Sequence, residues 1–177
     1  EKMLQHGDLY RLFVHWGHGG GERIPAWATR VVQDSSTGIF SAQVWDPEQS
    51  YTFRHTRPAK KANEPLLIYE CHIGMSSEEG RVSTYREFQE QVLPRIVDLG
   101  YNAIQIMAVQ EHPYYGSFGY HVSSFFAPSS RFGTPDELKE LIDTAHGLGL
   151  KVIMDLVHSH AVRNEVEGLA CYDGSRT

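Results

Sequence analysis

Residues 118–160 read FGYHVSSFFAPSSRFGTPDELKELIDTAHGLGLKVIMDLVHSH, and their order decides the fold. An aromatic-rich loop runs into Thr134-Pro135-Asp136-Glu137, a capping-box sequence with proline at the first helical position. Leu138, Leu141, Ile142, Ala145 and Leu148 then line one face of a helix. Gly149 stops that helix, and Lys151–Val157 reads as a strand leading into His158-Ser159-His160. A carboxylate, Asp155, and two imidazoles thus sit at the carboxyl end of a strand, where α/β folds build their sites.

The same unit occurs just upstream. Leu66–Ile73 is a nearly continuous apolar run, expected to be a strand buried on both faces. Thr84-Tyr85-Arg86-Glu87 is a second capping box, and Phe88, Val92, Ile96 and Leu99 follow near helical spacing. Pro94 is expected to kink this helix. Gly100 ends it, and Ala103–Val109 is the next strand. Right-handed crossovers make the whole a parallel βαβαβ array.

Before about residue 60 the pattern is different. Leu9–Trp16, Arg30–Gln33, Ile39–Trp45 and Tyr51–His55 read as antiparallel strands of a small β-sandwich. Gly19-Gly20-Gly21 lacks the spacing and following helix of a phosphate loop and reads as a flexible turn. Arg57–Pro65 is polar, carries two prolines and reads as a linker.

Composition excludes several classes. A formal charge of -6 and the absence of a long Lys/Arg cluster argue against a nucleic-acid partner. No apolar run approaches the roughly 20 residues that span a bilayer, so no membrane partner is expected. Two cysteines, Cys71 and Cys171, give no disulfide framework and fit a reducing, cytoplasmic compartment. The opening Glu1-Lys2 shows no signal peptide and suggests an excised fragment.

Each chemically suggestive residue has a plain reading beside the functional one. Asp155 either satisfies loop N–H groups or faces a pocket at the strand ends. His158-Ser159-His160 is a surface loop, a hydrogen-bonding grip on a hydroxyl-rich ligand, or half of a metal site whose other ligands are not identifiable. His112, Tyr114, Tyr115, Phe118, Tyr120, His121, Phe125 and Phe126 crowd one loop; they suit either a satellite core or stacking on a sugar ring. Gly119, beside Tyr120, allows close backbone approach. Trp16, Trp27 and Trp45 are expected in the sandwich core rather than on a sugar-binding face.

From YECHIGM at residue 69 through MDLVHSH at residue 160, the chain resembles the glycogen and starch branching enzymes, (β/α)8-barrel members of the α-amylase superfamily. RIPAWATRVVQD and WDPEQSYTFRH resemble, more weakly, that family's N-terminal β-sandwich. The resemblance implies the C-terminal part of a carbohydrate-binding-type sandwich in residues 1–60. It implies a truncated TIM barrel in residues 61–177, with the first three strands and two helices. MDLVHSH matches the superfamily's first signature region. On that match Asp155 organises the active-site charges and His160 binds the sugar at the cleavage subsite. SFGYH matches the loop whose tyrosine, here Tyr120, stacks on the same ring, with His121 adding a hydrogen bond. Cys71, His72 and Gly74 fall in the first-strand motif and read as structural.

The implied chemistry is a retaining cleavage of an α-1,4 bond and transfer of the glucan to a 6-hydroxyl. The family's nucleophile, acid and stabilising carboxylates lie on the fourth, fifth and seventh strands, and no acidic residue here matches those motifs. A full barrel takes about 250 residues, more than the 177 of this chain. The expectation is therefore a catalytically dead fragment that holds α-glucan residues without cofactor or metal. Its open sheet edges are expected to favour self-association. The alternatives are a non-catalytic α-glucan-binding module and a debranching or trehalose-forming relative.

Overall fold

The computed structural model describes residues 3–59 and 63–175, so the middle of the expected linker lies outside the described residues. Among the described residues ten short strands run in chain order: β1 (Leu9–Tyr10), β2 (Leu12–Trp16), β3 (Gly19–Arg23), β4 (Val31–Gln33), β5 (Phe40–Gln43), β6 (Ile68–Cys71), β7 (Ala103–Ile106), β8 (Gln110–Glu111), β9 (Ser124–Pro128) and β10 (Lys151–Met154). They divide between two compact units. Tyr51–Val109 and Arg131–Leu156 form the parallel unit; Gln110–Ser130 and the described residues of 1–50 and 157–177 form the other.

In the parallel unit the strand order is β10-β7-β6, with Lys151 and Ile68 both level with Ala103. The central strand fits its apolar sequence, for Ala103, Ile104 and Ile106 are fully buried. The expectation that the first strand is buried on both faces is not met. Ile68 and Glu70 of β6 are exposed, while Cys71 is buried. An edge strand has one neighbour, and the helix behind it covers only the alternate face.

Both capping boxes form. Thr84 Oγ1 accepts from the Glu87 N–H at 3.2 Å, and the Glu87 carboxylate accepts from the Thr84 N–H at 2.9 Å. Thr134 and Glu137 repeat the exchange at 3.2 and 2.8 Å at the start of the helix Pro135–Gly147. Gly100 and Gly149 end the two helical stretches at φ +85° and +82°, the left-handed region that glycine adopts without strain. Pro94 does not act as a simple kink. The stretch runs as α1 (Tyr85–Glu87), a π-helical segment (Phe88–Val92) and α2 (Leu93–Asp98), with Pro94 in the first turn of α2. Proline has no N–H to give, and the wider π turn re-registers the ladder just before it. With α3 denoting Pro135–Gly147, the core joins Phe88, Leu93 and Ile96 of the first stretch to Leu141 and Ala145 of α3.

Tyr51–His55 is not a strand. Asp143 of α3 has a fully buried carboxylate, and a buried charge needs partners. The segment stays extended to supply them: the Tyr51 hydroxyl at 2.8 Å, the Arg54 N–H at 3.0 Å and the His55 N–H at 2.8 Å. Burial alone would raise the Asp143 pKa. Those donors and the Arg54 guanidinium outweigh it and hold the carboxyl well below the usual range.

The other unit is built from small antiparallel sheets, β1-β5-β4 and the hairpin β2-β3. Leu9–Trp16 is two strands rather than one. Arg11, between them, donates to Glu22 of β3 at 2.9 Å and to Ser41 of β5 at 3.3 Å. The triple glycine is strand, not turn: Gly19–Gly21 pair with Val14–Trp16. Side chains there would collide with the rings folded across them, since a Cβ on Gly20 would lie 2.6 Å from Phe13 Cε1. Ile24, Ala28, Val31, Phe40, Ala42 and Ala127 make this unit's core.

Candidate functional site

The aromatic loop is closed at its base by polar side chains. β8 and β9 pair antiparallel with an irregularity between Gln110 and Glu111. The Glu111 carboxylate, fully buried, accepts from the N–H groups of His112 at 3.1 Å and Ser130 at 2.7 Å. Its backbone carbonyl accepts from the Ser123 N–H at 2.8 Å. Between these anchors the chain makes a tight 3-10 turn, Tyr115–Ser117, and then Phe118 enters the left-handed region at φ +53° with Gly119 at +90°. A bulky residue there costs about 1–3 kcal/mol and persists only where surrounding bonds hold it. The Tyr120 N–H donating to the Ser117 carbonyl at 3.0 Å is one such bond.

The segment after the third parallel strand is laced to this loop. Gln110, buried, donates to the Phe125 carbonyl at 3.1 Å and accepts from the Val157 N–H at 2.8 Å. The His158 and Phe125 rings stack with centroids 6.3 Å apart and planes 9° apart. His160 Nε2 lies 2.7 Å from the Tyr120 carbonyl, and its Nδ1 lies 2.8 Å from the Ser159 hydroxyl. The Val162 N–H donates to the Val122 carbonyl at 2.8 Å. These contacts bring Tyr120, half-buried, His121, exposed, and His160, exposed, into one unit. Asp155 belongs to the parallel unit, where its N–H extends the ladder by one step to the Ile106 carbonyl at 3.0 Å. Gln110 and Glu111 escaped the sequence reading. Their signal is a polar pair closing an apolar strand, which gives no hint of partners so far along the chain.

Other expectations resolve differently. Trp27 is 76% exposed and stacks on Phe126 at 4.6 Å, so it is not core. The turn in which the Ala28 N–H donates to the Pro25 carbonyl buries Ile24 and Ala28 and directs Trp27 outward. Trp16 and Trp45 are half-buried beneath the guanidinium groups of Arg23 and Arg30. Both cysteines are free. Burial, with Glu70 nearby, pushes the Cys71 thiol up to about 12 and leaves it unreactive. Among the described residues no group of three His, Cys, Asp or Glu is placed to hold a metal, and no helix is long and apolar enough to cross a membrane. A cleft of about 500 Å³ lined by Tyr69, Cys71, Phe88, Val92 and Ile96 opens on the helix-covered face of the parallel sheet. Tyr120, His121, Asp155 and His160 are not among its lining residues.

An aromatic ring beside imidazoles, as at Tyr120, His121 and His160, suits a ligand with an apolar face and many hydroxyls. The family described as alpha amylase, catalytic domain, matches residues 90–168. A 1,4-alpha-glucan-branching enzyme of Rhizophagus irregularis is 56% identical over 155 residues, 87% of this chain and 22% of that protein. Another, from Equus caballus, is 54% identical over 176 residues, 98% of this chain and 25% of that protein. The chain belongs to the family of the 1,4-α-glucan-branching enzymes. It spans about a quarter of the length of the branching enzymes it matches. A crystal structure of a Salmonella typhimurium protein assigned to the α-amylases superposes with a TM-score of 0.67 at 33% identity, covering 81% of this chain and 23% of that one. The α/β fold of this branching-enzyme relative is therefore of the TIM-barrel type.

Proposed function

We propose that this chain is the sugar-holding part of a 1,4-α-glucan branching enzyme. Residues 61–177 then supply the first three strands and two helices of the (β/α)8 barrel, and residues 1–60 the end of a carbohydrate-binding-type sandwich. The substrate is an α-glucan. Tyr120 stacks on the ring at the cleavage subsite, His160 and His121 hydrogen-bond its hydroxyls, and Asp155 orders the charges there. In a retaining transfer, a carboxylate attacks the anomeric carbon and a carboxylic acid protonates the leaving oxygen. The same group then deprotonates the 6-hydroxyl that takes the glucan. Those carboxylates belong to strands outside this chain, which alone is inert. Its open sheet edges favour self-association, and its free thiols fit the cytoplasm.

The observation that carries this reading is the bond between His160 and Tyr120, 2.7 Å long and bridging 40 residues. It joins the two signature segments whose side chains would have to meet one sugar ring. The test is the iodine spectrum of amylose incubated with protein. A form spanning the full length of the relatives should shift it, and the 177-residue chain alone should not. A shift produced by the chain alone would overturn the division of labour proposed here.

A further inference from the structure

The hairpin β2-β3 builds a seat for a turn that lies far along the chain. Gly21 has no side chain, so the Arg23 guanidinium and the Trp16 ring lie close beside it; a Cβ there would stand 2.9 Å from Arg23 Nη1 and 3.3 Å from the nearest Trp16 carbon. Arg23 is buried, and its guanidinium carbon sits 5.2 Å from the centre of the Trp16 ring. Nη1 donates to the Glu22 carbonyl at 2.9 Å, and Nη2 donates to the Cys171 carbonyl at 3.0 Å. That carbonyl also accepts from the Gly174 N–H at 2.9 Å, which closes the turn 171–174. Gly174, at φ +83°, lies against the Trp16 ring, where a Cβ would be 2.6 Å from three of the ring carbons. Arginine suits the seat because its planar fork presents donors in two fixed directions at once, which a lysine ammonium does not.

The seated turn ends the segment that follows the third parallel strand. The start of that segment is pinned by Gln110 to Val157, by His160 to Tyr120 and by Val162 to Val122. Its far end is held by Arg23 and Trp16. A surface segment held at one end only opens easily, and each further fixed point removes conformational freedom. We infer that Arg23 is a positioning residue: by seating the turn 171–174 it holds the far end of the loop that carries His160, and so sets where His160 meets its ligand. What His160 meets rests on the glucan reading above; the seat itself does not. The hairpin then has a task of its own, to support the loop after the third strand.

The test attacks the seat from its two sides. Arg23→Met removes the donors and keeps an apolar stem, while the Cys171 carbonyl retains the Gly174 N–H. Gly174→Ala leaves Arg23 intact and pushes the turn off the Trp16 ring. In the 177-residue chain, each variant should speed hydrogen exchange at the Val162 amide and leave the β4-β5 amides unchanged. In a form spanning the full length of the relatives, each should lower kcat/KM for amylose branching by about 10-fold. The double variant should lose no more than the worse single one, because both release the same turn. Unchanged exchange at Val162, kcat/KM within twofold of the parent, or losses that multiply in the double variant would each overturn the inference. Faster exchange at β4-β5 as well would also overturn it, since Arg23 would then only stabilise its own unit. A full-length parent that does not branch would tell against the glucan reading, and exchange at Val162 would still decide the seat.

Discussion

The parallel unit and the hairpin-and-loop unit are held together in different ways. In the first, Phe88, Leu93, Ile96, Ile104, Ile106 and Leu141 are essentially fully buried and two capping boxes start its helical stretches. In the second, single polar side chains reach far along the chain: Gln110 to Val157, His160 to Tyr120, and Arg23 to the Cys171 carbonyl across 148 residues. Apolar packing is additive and tolerant in detail, whereas each polar link depends on one donor and one acceptor. The lesson is that the scaffold is specified mostly by pattern, with the Asp143 cluster its long-range polar exception, and the loops that bear the candidate site mostly by individual bonds.

The largest expected effect tests the scaffold. Leu141→Ala removes a fully buried side chain from α3 and should cost about 2–5 kcal/mol in urea unfolding. A loss below about 1 kcal/mol would show that apolar packing is not what secures this unit. Next comes Gln110→Leu, which strips two backbone groups of their partners. It should cost about 1–3 kcal/mol and speed hydrogen exchange at the Val157 amide while leaving exchange in α3 unchanged. Equal acceleration in both units would erase the contrast between them.

Acid tests the polar share of the parallel unit. Hydrogen bonds from Arg81 and the Thr84 N–H lower Glu87 from 4.5 to about 2, and Asp143 is also held low. Groups whose folded pKa lies below the unfolded one stabilise the fold at pH above the unfolded values. That contribution is lost as pH falls through the folded ones. The urea midpoint should therefore fall from pH 5 toward pH 2. Asp143→Asn should be less stable at pH 5 and show a flatter decline. A midpoint that rose on acidification would contradict the assignment of these carboxylates as bonded anions.

What could be read in the sequence follows the same division. Thr84, Glu87, Thr134 and Glu137 announce helix starts because a capping box is local, and Gly100 and Gly149 announce stops for the same reason. β7 was legible as a buried run. β6 was over-read, because an apolar sequence does not say whether a neighbour covers it. Gly19–Gly21 misled in the opposite sense: glycine usually marks a turn, but here it makes room for Phe13 and Trp16. Tyr51–His55 looked like a strand because extended backbone and alternation are the same whether the partner is a strand or the carboxylate of Asp143. Tyr120, His121, Asp155 and His160 are candidates only through motif resemblance. The buried polar pair Gln110 and Glu111 could not be read, since their partners are set only by the folded loops.

The central claim is that Tyr120 and His160, laced together, hold the sugar at the cleavage subsite. The most direct measurement is kcat/KM for amylose branching, in a form spanning the full length of the relatives, with Tyr120→Ala and His160→Ala beside the parent. Loss of either grip should lower kcat/KM by about 100-fold while urea unfolding of the parallel unit stays unchanged. Both variants branching within about twofold of the parent, at unchanged stability, would contradict the account.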